Sequence, residues 1–230
     1  MKNHFSSSKS SKAKKKSLTG KKILITAGPT REQIDPVRFI SNNSSGKMGF
    51  ALAEAAIELG GEVTLVSGPT SISPPKVNHL ISIQTTDELY NAVKKQITKC
   101  DVLIMAAAPA DFKPAEKKNN KIKKTDNTLS LNLEPTPDIL KEISKLSTKK
   151  KPIIIGFALE TENGIANAKK KLKEKNLDMI ILNQTGKGRA FESDTNQVTV
   201  IRPKMRPLEL ELDSKANISV KLLDIIIDIL

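Results

Sequence analysis

The chain has little of what usually marks a metal or redox site. Cys100 is the only cysteine in 230 residues. One thiol cannot close an internal disulfide, and a four-cysteine zinc site is excluded. A reducing, cytoplasmic setting is expected. Cys100 falls between an expected helix and an expected strand and reads as a small packed residue, not a nucleophile. His4 and His79 are the only histidines. Neither has a second histidine or a carboxylate at ligand spacing, which argues against a histidine zinc site or a serine–histidine triad. Metal ligands are unknown from sequence. Tryptophan is absent, with one tyrosine and six phenylalanines, so the core packs aliphatic side chains. No apolar run approaches the about 20 residues that cross a bilayer. The best, Val102 to Ala110, contains a proline. The N-terminus lacks the apolar centre of a signal peptide.

Positive charge is abundant. Lys and Arg outnumber Asp and Glu by 38 to 25, a net charge of +13. Such a balance suggests anionic partners, though a cluster of lysines at the N-terminus accounts for part of it. Residues 1–20 are Ser/Lys-rich and read as a disordered tail. Lys14, Lys15 and Lys16 read as solvated charge, not a nucleic-acid contact. Residues 21–230 read as one domain.

Beyond the tail, strand and helix patterns alternate. Strands are expected at Lys22–Ala27, Glu62–Val66, Asp101–Met105, Pro152–Phe157 and Leu177–Leu182. Helices are expected at Gly46–Gly60, Thr86–Lys99, Thr136–Leu146 with Pro137 in its first turn, and Thr161–Lys175. Leu129, Leu131 and Leu133 alternate as in a strand with one wet face. Val198–Ile201 and Leu208–Leu212 suggest a late antiparallel pair, and Ser214–Leu230 a closing helix. The stretch 106–127 reads as irregular and basic. The order implies an α/β fold: three layers, with a mostly parallel mixed sheet covered on both faces. Ligands of such sheets sit beyond the carboxyl ends of the strands. Polar segments follow strands at 28–45, 106–124, 158–163 and 183–196.

Three constellations stand out. Ser44-Ser45-Gly46-Lys47-Met48-Gly49 opens a helix, where free N–H groups and the helix dipole favour an anion. It is neither a Walker loop nor a G-x-G-x-x-G turn. Ala106-Ala107-Ala108-Pro109-Ala110-Asp111 would let a planar group lie against the backbone beside one carboxylate. Lys121-Ile122-Lys123-Lys124 reads as a mobile basic flap or, by itself, as solvated charge. On the helix after Phe157, Lys171 and Lys175 share one shoulder of the apolar stripe, and Lys169 and Lys173 the other. Periodicity does not choose between them.

The segments ITAGPTREQIDPVRFISNNSSGKMG, AAAPADF, KIKK, PDI, GFALET, KKKLKEKNLDMI and FESDTNQVTVI stand in an order and spacing that resemble phosphopantothenoylcysteine synthetase. The resemblance covers residues 21 to about 212. It implies a Rossmann-like fold with ribokinase-like features, a homodimer, and a ligase of coenzyme A biosynthesis. The family's substrates are 4′-phosphopantothenate, L-cysteine and a nucleoside triphosphate with Mg²⁺, and KIKK resembles the CTP-using bacterial members. The usual bacterial arrangement places a flavin-dependent decarboxylase in front. This chain starts at the synthetase, so no flavin chemistry is expected.

By the same resemblance, Met105, Ala106 and Ala107 would line the nucleotide, Asp111 would read it and Lys121 would reach its phosphates. Pro137, Asp138, Ile139 and Leu140 would contact it from a helix start. Phe157 would pack near the base, and Lys171 and Lys175 would face the ligand. Asn42 matches the catalytic asparagine, and Ser44, Ser45 and Gly46 would receive a phosphate. Thr136, Pro109 and the run Arg189-Ala190-Phe191 depart from the family pattern. An NAD(P)-dependent reductase is the first alternative, but the chain lacks the glycine fingerprint such an enzyme would need straight after the first strand. A basic RNA-binding module rests on charge alone, with few aromatics to stack bases. No nucleic-acid or membrane partner is expected.

Overall fold

The computed structural model describes residues 17–124, 128–146, 151–184 and 193–230. The chain runs β1 (Lys22–Ala27), β2 (Arg31–Gln33), β3 (Phe39–Ser41), α1 (Lys47–Glu58), β4 (Glu62–Ser67), β5 (His79–Ser82) and α2 (Thr86–Gln96). It continues with β6 (Val102–Met105), β7 (Phe112–Pro114), β8 (Leu133–Pro135), α3 (Ile139–Ser144), β9 (Ile153–Glu160) and α4 (Gly164–Glu174). It closes with β10 (Met179–Gln184), β11 (Thr195–Ile201), β12 (Leu208–Ser214) and α5 (Lys215–Ile227).

Eight strands form one sheet in the order β12-β11-β10-β9-β6-β1-β4-β5. Strands β10 through β5 in that order are parallel, while β11 runs antiparallel to both of its neighbours, β10 and β12. Successive residues of a central strand serve opposite layers. Val102 and Ile104 pack with α1 and α5, whereas Leu103 and Met105 pack with α2, α3 and α4. Burial on both faces is why these strands read as unbroken apolar runs. This is the three-layer α/β arrangement expected from sequence.

Local signals set the helix ends. Thr85 and Glu88 form a capping box at the start of α2, satisfying N–H groups the helix cannot. Asp138 caps α3 by accepting from the Lys141 N–H at 3.2 Å. The helix expected from Thr136 therefore starts at Ile139, and Pro137 precedes the cap. Asn163, left-handed at φ 51°, delays α4 to Gly164.

Two short ribbons differ from expectation. β2 pairs with β3 inside the first polar segment, and β7 pairs with β8 inside the region read as irregular. The leucine strand shortens to Leu133–Pro135, and Leu129 and Leu131 are exposed without forming it. The tail boundary also moves. Leu18 is wholly buried in the core beneath α1 and α5, and its N–H donates to the Leu59 carbonyl at 2.8 Å. Residues 17–20 thus belong to the folded domain. Residues 1–16 and the Arg189-Ala190-Phe191 run lie outside the described residues, as do 125–127 and the remainder of 185–192.

Candidate active site

The chain leaves β1 towards β4, then returns across β1 to add β6 on its other side. A crevice forms where the strand order reverses in this way. A cleft of about 720 Å³ lies there, at the carboxyl ends of the central strands. It is lined by residues 41–49 ahead of and within α1, 105–111 after β6, 136–140 at α3, and 157–159 in β9. Lys171 and Lys175 of α4, Asn183, Asn196 and Lys215 complete it. Met105, Ala106, Ala107, Asp111, Pro137, Asp138, Ile139, Leu140, Phe157, Lys171, Lys175, Asn42, Ser44, Ser45 and Gly46 all line this cleft.

Gly46 stands at the amino end of α1 with φ 77°, a region that disfavours other residues, and no side chain caps the helix. Gly49 lets α1 approach β1. A Cβ on it would lie 2.6 Å from the Ala27 Cβ. The helix end is thereby brought into the cleft wall, where its N–H groups favour an anion.

Asn42 spans from this wall to the next. Its Nδ2 donates to the Pro109 carbonyl at 2.8 Å and the Ala108 carbonyl at 3.4 Å. The amide hydrogens therefore tie the two strand-following segments together across the cleft.

Lysines enter from both faces of the sheet. On the α4 side, Lys171 Nζ meets Glu160 Oε1 at 2.6 Å, and Lys175 Nζ meets Asp138 at 2.9 Å. Burial raises the Glu160 pKa, but hydrogen bonds from Lys171 and Asn167 outweigh it and the net shift is downward. On the α1/α5 side, Lys47 pairs with Asp194 at 2.6 Å, and this contact lowers the Asp194 pKa. Lys215 is 6% exposed, and its ammonium donates to the Ser193 carbonyl at 2.6 Å. Burial, then the like charge of Lys47, pushes its pKa down. Sequence reasoning missed Lys215. Its place at the start of an amphipathic helix signals a solvated residue, and only packing turns it inward. Asn183 in β10 and Asn196 in β11, bonded to each other at 2.9 Å, were missed because only the antiparallel pairing of these strands brings them together.

Lys121 is not among the lining residues. Its loop is anchored one residue later. Asp35 accepts from the Ile122 N–H at 3.1 Å, and Arg38 donates to the Ile122 carbonyl at 2.8 Å. Arg38 and Asp35 also form an ion pair, and the Lys118 N–H donates to the Ile34 carbonyl at 2.9 Å. The loop is latched to the turn between β2 and β3, which a freely mobile flap would not be.

Residues 18–230 match the family described as the DNA/pantothenate metabolism flavoprotein C-terminal domain. The chain belongs to that family. Among relatives of this C-terminal domain family, the coenzyme A biosynthesis bifunctional protein CoaBC of Bacillus subtilis is 45% identical over 208 residues. That match takes in 90% of this chain and 51% of CoaBC. A protein of an unknown prokaryote named cysteine/cysteine sulfinic acid decarboxylase is 44% identical, over 90% of this chain and 58% of its own length. The chain thus spans little more than half of these curated relatives. The crystal structure of the C-terminal domain of a CoaBC protein superposes with a TM-score of 0.79 at 42% identity. It covers 93% of this chain and 97% of that domain. A reductase or an RNA-binding module finds no support in this family.

Proposed function

We propose that the cleft joins 4′-phosphopantothenate to L-cysteine at the expense of CTP, as a phosphopantothenate–cysteine ligase of coenzyme A biosynthesis. The observation that carries this is convergence. Fifteen of the sixteen residues assigned by resemblance line one cleft, in a chain that aligns with nearly the whole C-terminal domain of a CoaBC protein.

In the first step the substrate carboxylate attacks the α-phosphorus, and the bond to pyrophosphate breaks. In the second, the cysteine amine attacks the acyl carbon, loses a proton, and CMP departs. The Ala106–Asp111 backbone, Phe157 and the start of α3 suit a base and ribose, and Lys171 and Lys175 the phosphates. The amino end of α1, with Ser44, Ser45 and Gly46, suits a further phosphate. Asn42 would turn an amide hydrogen from Pro109 to the acyl oxygen. Lys121 would reach the phosphates only if its loop leaves the latch at Ile122.

Among the described residues no group of three or more His, Cys, Asp or Glu side chains is gathered for a metal. Mg²⁺ held chiefly by substrate phosphates, with Asp111 as an available carboxylate, fits such a cleft. It would offset triphosphate charge. Val37 and Phe39 at the β2–β3 ribbon and Phe112 and Leu133 on the β7–β8 ribbon are exposed, and apolar side chains left at a surface suit a homodimer contact. A cytoplasmic location agrees with the buried Cys100, whose thiol is pushed up to about 12 by burial. No helix among the described residues is long and apolar enough to cross a membrane.

The test is direct. Phosphopantothenate, cysteine and Mg²⁺ are mixed with each triphosphate, and the product is sought by mass spectrometry. Phosphopantothenoylcysteine should form fastest with CTP. Equal or better turnover with ATP would remove the CTP assignment, and no product with any triphosphate would remove the function.

A further inference from the structure

The wall from Ala106 to Asp111 carries almost no side-chain chemistry, so its main chain must be held accurately. It is held from behind. The Ala107 N–H donates to Thr26 Oγ1 at 3.1 Å, and the Ala110 N–H to Thr30 Oγ1 at 2.9 Å. The Ala110 carbonyl accepts from Thr136 Oγ1 at 2.6 Å.

Behind Thr30 lies Glu32, a carboxylate only 3% exposed. Its Oε1 accepts from both the N–H and the Oγ1 of Thr86, each at 2.8 Å. Thr86 Oγ1 lies 2.9 Å from Thr30 Oγ1. Chemistry fixes the direction of this chain. A carboxylate only accepts, so the Thr86 hydroxyl proton points to Glu32. The Thr30 proton then points to Thr86. Thr30 is left with lone pairs facing the Ala110 N–H, which only donates. Burying a carboxylate is costly, but its position at the amino end of α2 reduces the cost. Uncharged side chains would fill the space. What the carboxylate adds is a charged acceptor that holds the N–H and the hydroxyl of Thr86 more strongly than a neutral group would.

We propose that Glu32 is a positioning residue for the cleft: through Thr86 and Thr30 it sets the Ala106–Asp111 main chain against which the nucleotide lies. The role rests on the nucleotide-binding reading above. A glutamine at 32 must keep its carbonyl oxygen on the Thr86 N–H, so it preserves the direction of the chain but holds both Thr86 donors with a neutral, weaker acceptor.

The test measures CTP binding by calorimetry, without turnover, alongside KM and kcat. Thr30→Val should weaken CTP binding about tenfold, the factor that matches one buried hydrogen bond. Glu32→Gln should weaken it severalfold. Both should act on KM more than on kcat. Thr30→Ser, which keeps the hydroxyl, should restore binding. The double variant should be no worse than the poorer single, because the residues act in series. Unchanged CTP affinity in folded Thr30→Val and Glu32→Gln would overturn the proposal, as would losses that simply add. Should Glu32→Gln fail to fold, equal affinity of Thr30→Val and Thr30→Ser would overturn it alone. If the wild-type chain binds no triphosphate, the functional reading fails as well. If it binds and the variants bind equally, only the role of Glu32 fails.

Discussion

Gly49 is where a single methyl group should separate fold from function. A Cβ there would lie 2.6 Å from the Ala27 Cβ and 3.0 Å from both the Ala27 Cα and the Thr26 carbonyl oxygen. Carbon atoms in contact rest at ~3.5–4.0 Å, so Gly49→Ala requires the start of α1 to retreat by about an ångström. Overpacking of this kind costs ~1–3 kcal/mol. In a chain of this size each kcal/mol lowers Tm by ~2–4 °C, so the protein should remain folded at 25 °C. The functional effect should be larger. The retreating turn carries Gly46 and Lys47, both in the cleft wall, and misplacement by 1 Å can cost ~10²-fold in rate. Turnover and thermal unfolding are measured together, with Glu54→Ala on the exposed face of α1 as control. Wild-type turnover in Gly49→Ala would refute the claim that α1 must sit this close. A loss of turnover matched by wholesale unfolding would refute the magnitude.

Leu18→Ala should lower stability by ~2–5 kcal/mol, whereas removing residues 1–16 should leave Tm and turnover unchanged; chemical denaturation of both distinguishes a core residue from a tail. Asn42→Ala should lower turnover ~10²–10³-fold with little change in Tm. Asn42→Asp, which keeps size but not the donors to Pro109, should not rescue it, and near-normal rates in either would remove Asn42 from the mechanism. Hydrogen bonding from Arg38 holds the Asp35 carboxyl far below its ordinary value of 3.8. Its folded pKa is below its unfolded pKa, so its stabilisation is complete above the unfolded value and fades as pH falls toward the folded one. The stability gap between wild type and Asp35→Asn, followed by circular dichroism, should be constant above about pH 5 and narrow below about pH 4. Lys215→Met removes a buried cation whose pKa is depressed, so it should raise Tm while weakening triphosphate binding about tenfold. Lower Tm with unchanged binding would contradict its placement in the site.

The parts legible in the sequence share one property: their signal is local. Val102 to Met105 must be apolar because both faces of β6 are covered. Thr85 with Glu88 marks a helix start whatever surrounds it. The polar segments after β1, β6 and β9 stand out because a strand has just ended there. The ribbons β2–β3 and β7–β8 were not legible, since three-residue strands are too short to show alternation. Their pairing depends on partners across a turn or a long loop. The Leu129–Leu133 alternation misled because the pattern outruns the pairing. Lys215 was invisible for a different reason: a charged residue at a helix start looks solvated until Ser193 and Lys47 fold over it.

The cleft is assembled from both ends of the chain, from Ser41 near its start to Lys215 on its last helix. A ligand that spans it touches segments that meet only once the whole sheet is in place. Such a ligand acts as a removable staple. Binding the native state alone, it adds RT ln(1 + [L]/Kd), ~2.7 kcal/mol at a hundredfold excess over Kd. The opening of β1 from α5 and the opening of β6 from α3 would be suppressed together. Substrate supply would then set the lifetime of the protein against proteases as well as its rate of work, and a non-reactive nucleotide analogue would serve as a folding aid for destabilised variants.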